Sequence, residues 1–135
     1  VFNAKATYQA DLTDYWAHLD PFEKLPNSFS LATTEVGMPA ALYPHHKIYD
    51  LAALNDPKLL AAGLSAASVL ELCPADVIYM PHEHYFRFHQ DLLTSQAFAQ
   101  RYILLDKKAV KASMGVAIRR DSPFAAELKS IFGIE

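Results

Sequence analysis

The chain has 135 residues, 52% of them hydrophobic and 20% charged, a balance that fits one globular domain with its own core and excludes a disordered chain. A formal net charge of -3 and a pI near 6.1 supply no basic field for a phosphate backbone, so no nucleic acid partner is expected and anionic lipid headgroups are disfavoured. The one cysteine, Cys73, excludes an intrachain disulfide and a cysteine-rich zinc module, and the longest uncharged run, residues 59–70, falls short of the roughly 20 apolar residues of a spanning helix.

The chain begins at Val1 with no basic-then-apolar leader, and it reads as a piece of something longer. Residues 7–19 place Tyr8, Leu12, Tyr15, Trp16 and Leu19 at helical spacing, which predicts an amphipathic helix whose aromatic face needs a surface to cover. Asp20-Pro21 ends it, and Phe22 and Leu25 are the expected core anchors of the following loop. An N-terminal helix and linker over 1–26 thus precede a single domain over 27–135.

Residues 30–34 and 47–51 are short, β-prone and bounded by turn formers, so they predict buried strands that deliver Glu35 and Asp50 to a common edge. Gly37 and Pro39 predict a loop between them, and His45-His46 a solvated turn. Asp56-Pro57 is an N-cap followed by proline at the first helical position, opening a helix over 58–62 that Gly63 closes. A second helix over 65–72 starts on Ser65 and stops at Pro74. Residues 76–80, DVIYM, form the clearest strand, and a buried strand after helices implies a parallel crossover. Residues 86–102 are helical with a break at Thr94-Ser95, and 103–106 and 114–119 form an antiparallel hairpin around the basic turn 107–111. Asp121-Ser122-Pro123 then caps a last helix with Phe124, Leu128, Ile131 and Phe132 on one face and Gly133 at its end. The sum is a three-layer α/β domain with a mostly parallel sheet of about five strands and one antiparallel hairpin near the C-terminus.

The acids Glu35, Asp50 and Asp56 sit at element ends, where carboxylates accept hydrogen bonds from sugar hydroxyls or ligate a divalent cation. Tyr43 and Tyr49 offer flat apolar faces for a pyranose ring. Turn chemistry is the alternative: Asp56 caps a helix, Asp50 closes a turn and only Glu35 is free. His82, His84 and His89 with Glu83 and Asp91 form a second cluster, since imidazoles two apart on an extended segment point the same way. H-E-H lacks the H-E-x-x-H helix spacing, so these histidines read as polar loop residues at the same sheet edge. No metal, cofactor or catalytic residue is expected: Ser65 lacks a nucleophile elbow, Cys73 sits at a helix end, and no phosphate loop or dinucleotide fingerprint occurs. Glu35, Asp50, Asn55 and His82 are expected to converge with Tyr43 on the carboxyl edge of the sheet, with Arg119 and Arg120 showing whether the final strand points the same way.

The pattern Thr34-Glu35-x-Gly37-x-Pro39, then Leu42-Tyr43-Pro44, then Asp50-x-x-x-Leu54-Asn55-Asp56 resembles the extracytoplasmic C-terminal region of bacterial membrane mannosyl- and arabinofuranosyltransferases. That family reads TEAG, an aromatic pair and D-x-x-G-L-N-D, and this chain has Val36 for the alanine and Ala53 for the glycine. The likeness runs from about Ser30 to Pro81. It implies a soluble periplasmic domain of a multi-spanning inner-membrane glycosyltransferase that uses a lipid-phosphate-linked sugar, with the catalytic carboxylate on a membrane-proximal loop outside this chain. It also implies, as partners, the membrane-spanning part of the parent chain and an acceptor glycan or lipid-linked sugar, with Glu35, Tyr43, Asp50, Asn55, Asp56, His82 and His84 as the binding set. The aromatic face of residues 7–19 would then meet the membrane part, or a second copy in a dimer. Two alternatives stand beside this. Residues 115–132 resemble the strand-then-helix closing segment of periplasmic solute-binding lobes, and the His82 region is compatible with a small metal-dependent hydrolase.

Overall fold

The structure, a computed structural model, describes residues 20–35, 37–52, 57–106 and 114–134. A 3-10 turn at Asp20–Lys24 leads into β1 (Ser30–Thr33), α1 (Gly37–Leu42), β2 (Lys47–Asp50), α2 (Pro57–Ala62), α3 (Ala66–Leu72) and β3 (Val77–Tyr79). A 3-10 turn at Glu83–Tyr85 then precedes α4 (Phe86–Thr94), α5 (Gln96–Arg101), β4 (Tyr102–Leu105), β5 (Val116–Arg119) and α6 (Ala125–Ile131). The predicted helix at 7–19, with Tyr15 and Trp16, and the basic turn at 107–111 lie outside the described residues, as do Asn55 and Asp56.

The five strands form one sheet in the order β2-β1-β3-β5-β4. β1 pairs with β2 and β3 in parallel, while β5 pairs with β3 and β4 antiparallel. The predicted hairpin is present, but its return arm inserts beside β3, so the sheet is mixed and not mostly parallel. Four strands still point one way and β5 alone points the other. Strand alternation separates two cores. Leu31, Val77, Tyr79, Val116 and Ile118 face Phe22, Phe29, Leu128 of α6 and Phe132 at its C-cap on one side. Ala32, Ile78, Met80 and Ala117 face Leu59 of α2, Val69 of α3, Phe88 and Leu92 of α4, and Phe98 of α5 on the other. Phe22 is fully buried, with its ring 5.1 Å from Phe29 and 6.2 Å from Phe132. Phe22 is therefore part of this core.

Local chemistry explains most boundaries. Ser65 and Ser68 form a reciprocal capping box at the start of α3, Ser95 Oγ accepts from Phe98 N and separates α5 from α4, and Gly63 ends α2 at φ +84. The loop expected at Gly37 and Pro39 is instead the first turn of α1. Proline is tolerated there because first-turn amides have no intrahelical acceptor to lose. His46 is also not a solvated turn residue: its Nε2 donates to the Phe22 carbonyl at 3.0 Å and its ring stacks on Tyr43. At the amino edge of the sheet, buried Asp76 ties three elements together. It accepts from Ser30 N (2.8 Å), Ser30 Oγ (2.9 Å), Ser122 Oγ (2.6 Å) and Arg119 Nη2 (3.2 Å), so its charge is held by an ion pair and hydrogen bonds together.

Candidate functional site

β1 continues into α1 and Tyr43, which packs on the Phe22 side of the sheet, whereas β3 continues into α4, whose Phe88 and Leu92 pack on the opposite side. Connections that leave adjacent parallel strands on opposite faces open a crevice at their carboxyl ends. Thr33, Thr34 and Glu35 stand at the end of β1, Asp50 ends β2, and Pro81 and His82 follow β3. Two hydroxyls organise the edge: Thr33 Oγ1 accepts from Glu35 N at 3.0 Å, and Thr34 Oγ1 accepts from His82 N at 3.3 Å, a direct bridge between the β1 and β3 exits.

Asp50 is buried and its Oδ1 accepts from Ala52 N at 2.9 Å, so it closes the turn after β2 while remaining part of the edge. Glu35 is half-buried, and its carboxylate has no side-chain hydrogen bond among the described residues. His82 is 4% exposed. Its Nδ1 accepts from His84 N at 3.4 Å, a long contact, and the two imidazoles stack 4.7 Å apart. His89 sits behind them with Nδ1 donating to the Pro81 carbonyl at 2.9 Å. Tyr85 joins the cluster: burial, then the Glu35 carboxylate, then that of Asp50, raise its phenol above its ordinary value. A cleft of about 460 Å³ lined by Leu64, His84, Tyr85, Phe86, Arg87 and Phe88 adjoins this edge, within the size range of small-ligand sites.

Glu35, Asp50, His82 and His84 therefore gather as the strand-end rule requires. Tyr43 does not join them. It is buried on the Phe22 side, stacked at 5.5 Å on His46, which stands just before the start of β2 and so at the other end of the strand. Arg119 and Arg120 also lie at the opposite edge, because β5 runs against its neighbours. Tyr85 and Phe86 were not singled out from sequence. The available signal was an aromatic pair directly behind a strand exit, in PHEHYF.

Chemically, the edge offers carboxylate acceptors, an imidazole N–H donor, a phenol and the exposed ring of Phe86, which is 66% accessible. That set suits a polyhydroxylated ligand, whose hydroxyls both donate and accept and whose C–H faces stack on aromatic rings. Among the described residues no group of three His, Cys, Asp or Glu side chains is placed to hold a metal ion. Cys73 is buried and Ser65 is committed to its helix cap. Likewise, no described helix is long and apolar enough to cross a membrane. Comparison with protein-family models, characterised proteins and solved structures finds no match.

Proposed function

We propose that this chain is the extracytoplasmic domain of a multi-spanning bacterial glycosyltransferase that draws sugar from a lipid-phosphate-linked donor, and that the domain recognises the acceptor glycan. The observation that carries this is the convergence of Glu35, Asp50, His82, His84 and Tyr85 at the carboxyl edge of three parallel strands, together with the sequence patterns TE-x-G-x-P and D-x-x-x-L-N-D to which Glu35 and Asp50 belong. Glu35 and Asp50 accept hydrogen bonds from sugar hydroxyls, Tyr85 both donates and accepts, and Phe86 supplies the stacking face. Nothing in the cluster pairs a nucleophile with a base and an orienting group, so catalysis is assigned to the membrane part of the parent and not to this domain. The aromatic face of residues 7–19 is assigned to contact with that part.

The test is titration of this chain with candidate acceptor oligosaccharides, followed by a transfer assay with lipid-linked donors. Saturable binding that weakens about tenfold in Glu35→Gln, with unchanged melting temperature, is the expected result, since one charge-assisted hydrogen bond is worth about 1.5–3 kcal/mol. Sugar transfer by this chain alone, or oligosaccharide binding indifferent to Glu35→Gln, overturns it. A second reading, one lobe of a periplasmic solute-binding protein, draws on the closing β5 strand and α6, whose Leu128 and C-cap Phe132 seal the Phe22 side of the core. The coding sequence upstream discriminates: membrane spans favour the transferase, and a second soluble lobe favours the binding protein.

A further inference from the structure

At the amino edge of the parallel strands, opposite the acid and imidazole cluster, a cleft of about 370 Å³ is lined by Arg101, Arg119 and Arg120 around an apolar wall of Leu70 and Pro74. The three guanidinium groups are not equivalent. Arg119 is spent internally: it pairs with Asp76 at 3.2 Å and Asp121 at 2.8 Å, and also donates to the Pro74 carbonyl. Arg101 makes a single long contact, Nη1 to the Leu70 carbonyl at 3.5 Å. Arg120 places Nε and Nη2 on one acceptor, the Ala99 carbonyl, at 3.3 and 3.2 Å. Neither Arg101 nor Arg120 has a carboxylate partner among the described residues.

The backbone holds these two charges side by side, through Arg120 N donating to the Arg101 carbonyl at 2.8 Å across the end of the β4–β5 ladder. Arg119 faces two carboxylates, Asp76 and Asp121, and Asp121 also lines the cleft, so Arg101 and Arg120 leave one positive charge in excess there, which focuses potential into the concave site. Their unspent N–H groups form planar forks that suit the oxygens of a phosphate dianion, whose larger charge is attracted more strongly than that of a monoanionic carboxylate. The floor beside them is apolar, with Tyr102 closed against Phe98 beneath, so the ligand's body is uncharged. We propose that this cleft binds a small phosphate monoester with an apolar or aromatic body, held by Arg101 and Arg120. The proposal is independent of the glycan site, which lies at the other end of the strands.

The experiment follows the Arg side-chain Nε–Hε resonances of this chain during titration with phenyl phosphate. Saturable shifts confined to Arg101 and Arg120 are expected, with phenylacetate about tenfold weaker because one charge is missing. Arg101→Gln and Arg120→Gln are each expected to weaken phenyl phosphate by about fivefold or more, while Glu35→Gln leaves it unchanged. A parallel arm uses vesicles containing phosphatidic acid: binding there without binding phenyl phosphate points to a lipid surface and overturns the small-molecule assignment. Unsaturable drift of all the arginines, equal affinity for phenylacetate, or variants that bind as tightly as the parent chain also overturn it. Should a substituted chain fail to fold, the location of the shifts in the unsubstituted chain decides.

Discussion

Tyr102 shows how much one buried polar atom controls in this fold. Its ring stacks on Phe98, 4.8 Å between centroids and 10° between planes, and its hydroxyl donates to the Ala75 carbonyl at 2.8 Å. Burial pushes the phenol well above its ordinary value; Arg119 opposes the rise, and Asp76, Cys73 and Asp121 add to it. The folded state thus holds this proton more tightly than the unfolded chain does. Its contribution to stability is complete below the unfolded value near pH 10.0 and is lost as pH rises through the folded value. Tyr102→Phe is expected to cost about 1–2 kcal/mol at neutral pH, from the lost hydrogen bond and the carbonyl left behind, and to flatten the alkaline decline. Urea titrations at neutral pH and above pH 10 check both, and parallel declines in the two proteins contradict the account. The same scale shows what a strand-end rule reaches. It finds Glu35, Asp50 and His82, because parallel strands discharge at one edge. It misses Tyr43, because the segment between β1 and β2 travels from the carboxyl edge back to the amino edge, and Tyr43 lies at the end of that return. Asp76 also escapes it, since the lone acid that opens DVIYM carries no mark of the four donors that Ser30, Ser122 and Arg119 bring from 43 to 46 residues away.

Among the elements, the β4–β5 hairpin is present as expected but lies against β3, which was not expected, and Gly115 is where that geometry is enforced. At φ +87 a β-carbon would stand 2.6 Å from the Leu105 carbonyl oxygen, and the Gly115 carbonyl accepts from Met80 N at 3.0 Å. One residue therefore brings β5 against the last residue of β4 while joining it to the exit of β3. Gly115→Ala is expected to lose about 2–4 kcal/mol, combining the left-handed backbone cost with displacement of a ladder carbonyl. Chemical denaturation measures it, and a loss under about 1 kcal/mol would show that the hairpin yields easily. β-Prone residues bounded by turn formers made the strands centred on Leu31, Ile48 and Val77 legible, along with their common sheet. Serine caps made the start of α3 and the α4–α5 break legible, and Gly63 the end of α2. The insertion of β5 beside β3 was not legible, because pairing partners beyond a hairpin depend on which flank of the sheet is vacant, and periodicity is blind to that. A helix at Gly37–Leu42 was hidden by two residues that favour turns, Gly37 and Pro39, both in its first turn, where a proline does no harm.

Across the whole molecule, stability and recognition are unevenly distributed. β3 is paired on both sides and covered on both faces, with Val77, Ile78 and Tyr79 fully buried. β2 is an edge strand paired only with β1; its outermost residue, Lys47, is exposed and sits 4.8 Å over the Tyr49 ring, a charge that discourages pairing with another chain. The candidate glycan edge spans both regimes, with His82 fastened to Thr34 at the rigid centre and Asp50 at the end of the edge strand. Amides of β3 and β5 are therefore expected to exchange with solvent only through global unfolding, and those of β2 and α1 through local opening. A ligand that binds the folded edge stabilises it by an amount that grows with the logarithm of ligand concentration over Kd. Saturating acceptor oligosaccharide should then slow exchange over residues 47–52 and 82–86 while leaving the β4–β5 end near Arg101 and Arg119 unchanged. Phenyl phosphate should do the reverse. Protection by the oligosaccharide that appears instead at the arginine cleft would move glycan recognition to the other end of the sheet and leave Glu35 and Asp50 with turn chemistry alone.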